Sequence, residues 1–116
     1  MARYSTLGDK ECEVLPMVIE LLREHIGRDK AITNTQLRAQ LIEIGYQDVG
    51  QIRMRKLINY IRNNSILICL KGCTYGYYIT EDPEEIRAYI SSLVKREGAI
   101  RHTRETIENQ LEMLLN

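Results

Sequence analysis

Apolar side chains recur three and four residues apart in the first part of the chain, the spacing of one buried helix face. The first such stretch follows Pro16, which is predicted in a first helical turn, and ends at Gly27. The second opens at Thr33, a predicted N-cap, and ends at Gly45. A short extended segment is expected between them. The predicted core-facing residues of these two helices are Val18, Leu21, Leu22, His25, Ile26, Leu37, Leu41, Ile42 and Ile44.

A third helix is predicted from about Val49 to Asn63, with Asp48 as its cap. Its core-facing stripe consists of Met54, Leu57, Ile58 and Ile61. At 100° per residue the opposite face carries Ile52, Lys56, Asn59, Tyr60 and Asn63, flanked by Arg53 and Arg55. Cations and amides that lie side by side on an exposed helix can bond phosphates and base edges. This helix is therefore the candidate nucleic-acid contact.

A β-hairpin is predicted next, because two β-prone runs at 66–70 and 77–80 flank a glycine-containing loop at 71–76. The loop offers a charge, a hydroxyl and an aromatic ring, from Lys71, Thr74 and Tyr75. We expect the tyrosines of the second strand to pack on the core. Lys71 is expected to contact phosphate, as a wing lying along a nucleic-acid backbone would.

A long final helix is predicted from Asp82-Pro83-Glu84-Glu85, with Asp as cap and Pro at the first helical position. Nine residues up to about Leu115 then alternate in steps of four and three, and seven of them are apolar. These nine are Ile86, Ile90, Leu93, Glu97, Ile100, Arg104, Ile107, Leu111 and Leu114. Such a stripe, sustained over four heptads, favours a helix that pairs with another helix.

The pattern predicts a homodimer, with contacts at Leu93, Glu97, Ile100, Arg104, Ile107 and Leu111. The two charged residues, Glu97 and Arg104, lie one heptad apart and could meet across an antiparallel pair centred near Ile100. The alternative is that Gly98 splits the helix, in which case the first half packs on the domain and the tail folds back or remains free.

Positive charge is concentrated in one stretch of a chain that has 16 basic and 16 acidic side chains. No acid occurs between Asp48 and Glu81. That window holds five bases, Arg53, Arg55, Lys56, Arg62 and Lys71. Without these five, 11 basic side chains face 16 acidic ones elsewhere. A positive patch on an acidic body suits contact with a polyanion through one face, because salt screens charges beyond about 8 Å. A solvated helix face that lacks acids is the alternative.

A length of 116 residues predicts one globular domain with its own core. We divide it into a flexible N-terminal arm at 1–13, a winged helix-turn-helix domain at 14–82 and the final helix, a candidate dimerisation element, at 83–116. No apolar run is long enough for a membrane span, and no signal peptide is expected. Three cysteines without paired C-x-x-C spacing predict reduced thiols in a cytoplasmic protein, Cys69 being a buried strand residue. The alternative is a zinc site, from Cys12, Cys69 and Cys73 with His25 or His102.

Helix, short strand, helix, basic helix and hairpin is the order of a winged helix-turn-helix domain, so the expected fold is mainly α with a small β-hairpin. Five motifs in this order resemble those of small phage and prophage winged-helix proteins. They are MRKLINYIR at 54–62, ILI at 66–68, GYYI at 76–79, DPEE at 82–85 and LVKR at 93–96. The resemblance covers about residues 15–97, whereas the long tail beyond Gly98 and the neutral net charge depart from it.

The resemblance implies a DNA-binding protein that controls transcription or replication in a phage or mobile element. It also implies recognition-helix contacts from Arg53, Arg55, Lys56 and Asn59, and a wing contact from Lys71. The full set of predicted DNA contacts is Gln51, Arg53, Arg55, Lys56, Asn59, Tyr60, Asn63, Lys71, Thr74 and Tyr75.

We expect no enzyme, metal or cofactor, because the sequence has no phosphate-binding loop, H-E-x-x-H motif or nucleophile elbow. The leading hypothesis is binding to double-stranded DNA by a symmetric dimer, with the third helix in the major groove. The alternative is a protein-interaction adaptor without DNA binding, whose long helix recruits a partner. RNA binding through exposed tyrosines is a third hypothesis.

Overall fold

The computed structural model describes residues 7–116, and the fold is mainly helical with one small antiparallel hairpin. Its elements are α1 (Asp9–Leu22), a 3-10 turn (Arg28–Lys30), α2 (Asn34–Ile44), α3 (Gly50–Asn63), β1 (Leu70–Cys73), β2 (Gly76–Ile79) and α4 (Pro83–Leu115). The chain forms two compact units that divide between Glu81 and Asp82. The first unit therefore contains three helices and the hairpin, and the second is α4.

Helix α1 begins at Asp9, seven residues before Pro16, so the predictions of an arm at 9–13 and of proline in the first turn are wrong. The cause is the Glu11 side chain, which accepts a hydrogen bond of 2.6 Å from the Gly8 amide and caps the helix. Pro16 lies inside the helix, which ends at Leu22 and not at the predicted Gly27. Residues 1–6 of the predicted arm lie outside the described residues.

Helix α2 begins and ends where the sequence predicts. The Thr33 hydroxyl accepts from the Gln36 amide at 3.0 Å, and Gly45 follows the last turn with φ +123°. Leu37 and Leu41 are fully buried. The other two residues of the predicted apolar face, Ile42 and Ile44, are about half exposed, so that part of the prediction is wrong. Only a narrow side of α2 faces the core.

Helix α3 buries the four residues of the predicted stripe, Met54, Leu57, Ile58 and Ile61. They pack into one cluster with buried residues of α1 and α2, namely Val14, Val18, Leu22, Leu37 and Leu41. The helix begins at Gly50, one residue later than predicted. Asp48 nevertheless stabilises the start of α3, because its Oδ1 accepts a hydrogen bond from the Gly50 amide at 3.0 Å. The opposite face of α3 is thereby held outward.

The hairpin is shorter and tighter than predicted. Strand β1 begins at Leu70, and its last residue, Cys73, pairs directly with Gly76, so the turn consists of only two residues. The predicted strand at 66–70 is wrong over residues 66–69. Ser65 and Cys69 have φ values of +55° and +45°, in the left-handed region, which interrupts any extended strand there. Cys69 is accordingly a half-buried loop residue and not the predicted strand residue.

The predicted extended segment before α2 is confirmed at Ile32, which pairs with Tyr77 of β2. The Ile32 amide donates to the Tyr77 carbonyl at 2.9 Å, and the Tyr77 amide donates back at 2.7 Å. Ile32 thus extends the hairpin by one pairing position beside β2. Tyr78 is fully buried and Tyr77 packs against the core cluster, in agreement with the expectation that the tyrosines pack inward.

Helix α4 starts as predicted, with Asp82 accepting from the Glu84 amide at 3.0 Å and Pro83 at the first position. It continues through Gly98 to Leu115, so the alternative of two shorter helices is wrong. Every residue from Ile90 to the end of the chain is exposed. No described helix combines the length and apolar character that a membrane span needs.

Candidate nucleic-acid interface

Amides and cations are exposed together on the outer face of α3, the side of the helix opposite the core. Gln51, Arg53, Arg55, Lys56, Asn59 and Asn63 are exposed on this helix, and Tyr60 is half-buried. Ile52, in the first turn, is 79% exposed. Arg55 makes no ion pair with any residue in the described range 7–116, so its guanidinium is open to a partner. We call Gln51, Ile52, Arg55, Lys56, Asn59 and Asn63 the α3 outer face.

Lys56 is held by an acid of the same chain. Its Nζ lies 3.2 Å from Oε1 of Glu11 in α1, whose side chain is only 8% exposed, whereas that of Lys56 is 48% exposed. Burial opposes ionisation of Glu11. The Gly8 amide, the Lys56 ammonium and the positive charge of Arg53 outweigh that effect and hold the Glu11 pKa below its ordinary value. Glu11 is therefore ionised at neutral pH, and its negative charge opposes that of Lys56.

Arg62 stabilises the fold and is not available on the exposed surface of α3. Its Nε donates to the Leu70 carbonyl at 2.7 Å, and its Nη1 donates to Oδ1 of Asn59 at 3.0 Å. The guanidinium joins the last turn of α3 to the start of β1. It also orients the Asn59 amide, because the Asn59 oxygen is the acceptor and the nitrogen is left facing outward. The cationic surface is consequently narrower than the sequence predicts, and its exposed members without an ion pair among residues 7–116 are Arg53 and Arg55.

A second network fixes the start of α3 relative to α2. Arg38 binds Asp48 with two hydrogen bonds, Nε to Oδ1 at 2.9 Å and Nη2 to Oδ2 at 3.2 Å. The Arg38 contact and the Gly50 amide lower the Asp48 pKa to about 2. Asn34 Nδ2 lies within hydrogen-bond distance of the Gln51 carbonyl, at 3.2 Å. The first turn of α3 is therefore tied to α2 at two points.

The hairpin turn presents an aromatic ring and a cation. Tyr75 is 65% exposed, and the guanidinium carbon of Arg28 lies 5.9 Å from its ring centroid. Thr74 is exposed beside it, whereas Lys71 is half-buried with its ammonium 6.0 Å from the Tyr78 ring centroid. Of the predicted hairpin contacts, Thr74 and Tyr75 lie at the turn, and Lys71 lies within β1. Sequence spacing missed Arg28, because only the fold brings its turn to the hairpin.

The residues of the alternative zinc site do not come together as metal ligands within the described part of the chain. None of the three cysteines forms a disulfide, and within the described part of the chain no group of His, Cys, Asp and Glu side chains is arranged to hold a metal ion. His25, one of the two histidines considered as a fourth zinc ligand, lies 2.7 Å through Nδ1 from the Lys30 carbonyl and closes the turn after α1.

Comparisons with protein-family models, curated proteins and solved structures found no match for this chain.

Proposed function

We propose that this protein binds double-stranded DNA, with α3 in the major groove and the hairpin turn beside it, as a winged helix-turn-helix domain does. The order of elements supports this proposal: three helices, two isolated pairing residues between the first two (Ile26 with Ile79, Ile32 with Tyr77), and a hairpin after the third. The sequence resemblance to phage and prophage winged-helix proteins extends it to control of transcription or replication.

The observation that carries the proposal is the α3 outer face. Arg55 is an open cation there, Gln51 supplies an exposed amide, and Asn59 supplies an amide nitrogen whose oxygen is bonded to Arg62. Arginine matches the two acceptors of guanine, and an amide matches the acceptor and donor of adenine. Because Lys56 is already paired with Glu11, few cations remain for phosphate contacts. The affinity should therefore be modest and its salt dependence shallower than the five bases of the sequence suggest.

The test begins with selection of a duplex from random oligonucleotides by the intact protein. Binding of the selected duplex is then measured against salt concentration for the wild type, Arg55→Ala and Lys95→Ala, whose lysine lies exposed on α4. Loss of the Arg55 contact should weaken binding by about 5-fold to 150-fold, since a good base contact contributes about 1–3 kcal/mol. Lys95→Ala should bind normally. Equal binding by all three proteins would reject the α3 face as the contact.

A second candidate function is a protein-interaction adaptor. It is favoured by the Lys56–Glu11 ion pair, which reduces the positive charge of α3, and by the apolar side chains exposed along α4. In that case α3 serves the fold, and α4 recruits a protein. The double variant Arg55→Ala, Lys56→Ala separates the two functions. It should abolish retention on duplex DNA at low salt under the DNA proposal, with circular dichroism unchanged. An adaptor would show no retention for either protein.

A further inference from the structure

Helix α4 exposes a mostly apolar stripe, with two charged residues near its centre, that nothing in the described range 7–116 covers. Large apolar side chains recur along one face with exposures from 43% to 84%, namely Ile90, Leu93, Ile100, Ile107, Leu111 and Leu114. Scattered exposed leucines are normal on protein surfaces, but a stripe over four heptads is typical of a helix that packs against another helix. A stripe of this length therefore indicates that another helix packs against α4.

The charged residues within the stripe determine which partner helix can pack against it. In heptad terms, five apolar residues occupy the d positions: Ile86, Leu93, Ile100, Ile107 and Leu114. The a positions are Ile90, Glu97, Arg104 and Leu111, so opposite charges stand at the two central ones. A partner must therefore offer a cation opposite Glu97 and an anion opposite Arg104, with apolar residues on both sides.

We propose that this partner is a second copy of the chain, whose α4 packs antiparallel to the first. An antiparallel pair centred near residues 100–102 brings Glu97 towards Arg104 of the partner subunit, and the same contact forms twice by symmetry. The long side chains span the offset of about three residues, or about 4.5 Å, that separates them along the axis. One sequence thus supplies both halves of the complementary surface.

Parallel pairing is disfavoured by the same residues. It would place each Glu97 against the Glu97 of the partner subunit, and each Arg104 against its own copy, at the centre of the seam. The flanking e position does not distinguish the two arrangements, because Arg101 meets Arg96 of the partner subunit in a parallel pair and Arg101 of the partner subunit in an antiparallel one. Like charges held face to face cost several kcal/mol at an interface. Charge complementarity therefore selects the antiparallel arrangement and sets its register.

The charges in the single chain leave this contact available. Glu97 makes no ion pair with any residue that the structure describes. Arg104 Nη1 lies 2.9 Å from Oε1 of Glu108, one turn further along the same exposed helix. Such an exposed i,i+4 pair is weak in water. Arg104 can therefore turn towards Glu97 of the partner subunit at little cost. The chain connects the first unit to the N-terminal end of α4, so antiparallel pairing joins the two first units to opposite ends of the helix pair.

Sedimentation equilibrium of the full chain without DNA tests this inference separately from the proposed function. The wild type should sediment as a dimer. Glu97→Arg and Arg104→Glu should each weaken the dimer at least about tenfold, because each creates like-charge contacts across the seam. The double variant Glu97→Arg, Arg104→Glu restores opposite charges between the two positions and should regain dimer strength.

Matched controls reverse charges on the outer face of the same helix. Glu105→Arg and Lys95→Glu occupy b and f positions, so both should dimerise as the wild type does. Circular dichroism checks that each variant keeps its helix content. A wild type that is monomeric at all concentrations would overturn the inference. So would single variants that dimerise as strongly as the wild type, or a double variant no stronger than the single ones, since a parallel seam or an unrelated interface predicts those results.

Discussion

Lys56 and Glu11 form an ion pair of 3.2 Å that joins the middle of α3 to the first turn of α1. The residues are 45 positions apart in sequence, and Glu11 is nearly buried. The same carboxylate also caps α1 through the Gly8 amide. One acidic side chain therefore fixes the start of α1 and reduces the positive charge of the surface proposed to bind DNA.

The first prediction concerns that acid. Glu11→Gln keeps a side-chain oxygen for the Gly8 amide and removes the negative charge beside Lys56. Under the DNA proposal, duplex binding at low salt should become tighter. The plot of log affinity against log salt should steepen by about 0.9, the slope for one additional phosphate contact. Fluorescence anisotropy over a salt series measures both quantities.

Glu13→Gln is the matched control for that experiment, because Glu13 is an exposed acid of the same helix and makes no ion pair within the described residues. It should leave the salt slope unchanged. If Glu11→Gln also leaves slope and affinity unchanged while the protein still binds DNA, then Lys56 does not contact phosphate, and the α3 contact must be limited to Arg55 and its neighbours.

Local features of the sequence were sufficient to predict much of the fold. The four buried residues of α3, the Thr33 cap and the Asp82-Pro83 start of α4 all follow from spacing or side-chain chemistry within a few residues. Whether α4 continues through Gly98 was not decided by the sequence, because the heptad stripe favours one helix and glycine weakens it; the helix does continue to Leu115. Periodicity and capping act locally, and sequence records them directly.

Features that leave no hydrophobic period could not be predicted. Helix α1 starts before its apolar stripe because the Glu11 carboxylate caps the Gly8 amide, a local contact that hydrophobic spacing does not record. The left-handed backbone at Ser65 and Cys69 moved β1, and neither residue type signals that conformation. The α3 outer face was located correctly as a helix face. Which of its charges stay open depended on Glu11 and Leu70, which sequence could not place beside Lys56 and Arg62.

Arg62→Ala should destabilise the fold. The substitution leaves the Leu70 carbonyl without its guanidinium donor and frees the Asn59 amide. Hydrogen bonds that involve a charged group contribute about 1.5–3 kcal/mol, and the free energy of unfolding should fall by about that amount. Urea unfolding followed by circular dichroism measures it. Asn63→Ala is the control, because Asn63 is the next residue along α3 and is exposed. It should change the free energy of unfolding by less than about 0.5 kcal/mol. Equal losses in both variants would mean that the Arg62 contacts contribute nothing specific.

Gly76→Ala should be strongly destabilising, because the position has both an unusual backbone and no free space. Its φ is +121°, and an added Cβ would overlap the Ile32 carbonyl and lie 2.7 Å from the Thr33 amide nitrogen. Backbone strain alone costs about 1–3 kcal/mol, and the overlap adds to it. We expect a loss of at least about 3 kcal/mol in urea unfolding. Gly72→Ala is the control, since its Cβ would meet only the Tyr77 ring at an ordinary 3.6 Å. A mild effect at Gly76 would mean that Ile32 does not pair closely with β2.

The Arg38–Asp48 pair predicts a specific acid dependence of stability. The pKa of Asp48 is lowered to about 2 in the folded chain, from about 3.9 in an unfolded one. A lowered carboxyl pKa stabilises the fold above the unfolded value, and this contribution disappears as pH falls through the folded value. The difference in urea midpoint between wild type and Asp48→Asn should therefore be constant above about pH 5 and shrink between about pH 4 and pH 2.

Urea titrations at intervals from pH 7 to pH 2 measure that difference directly. Subtracting the variant from the wild type cancels every other titrating group, including Glu11, which both proteins share. Glu43→Gln, at an exposed acid of α2 without an ion pair among residues 7–116, should differ little from the wild type at any pH. If the difference for Asp48→Asn stays unchanged down to pH 2, the Asp48 carboxylate does not stabilise the junction of α2 and α3 by its charge. The hydrogen bond to the Gly50 amide, which asparagine can still accept, would then account for the role of Asp48 at the start of α3.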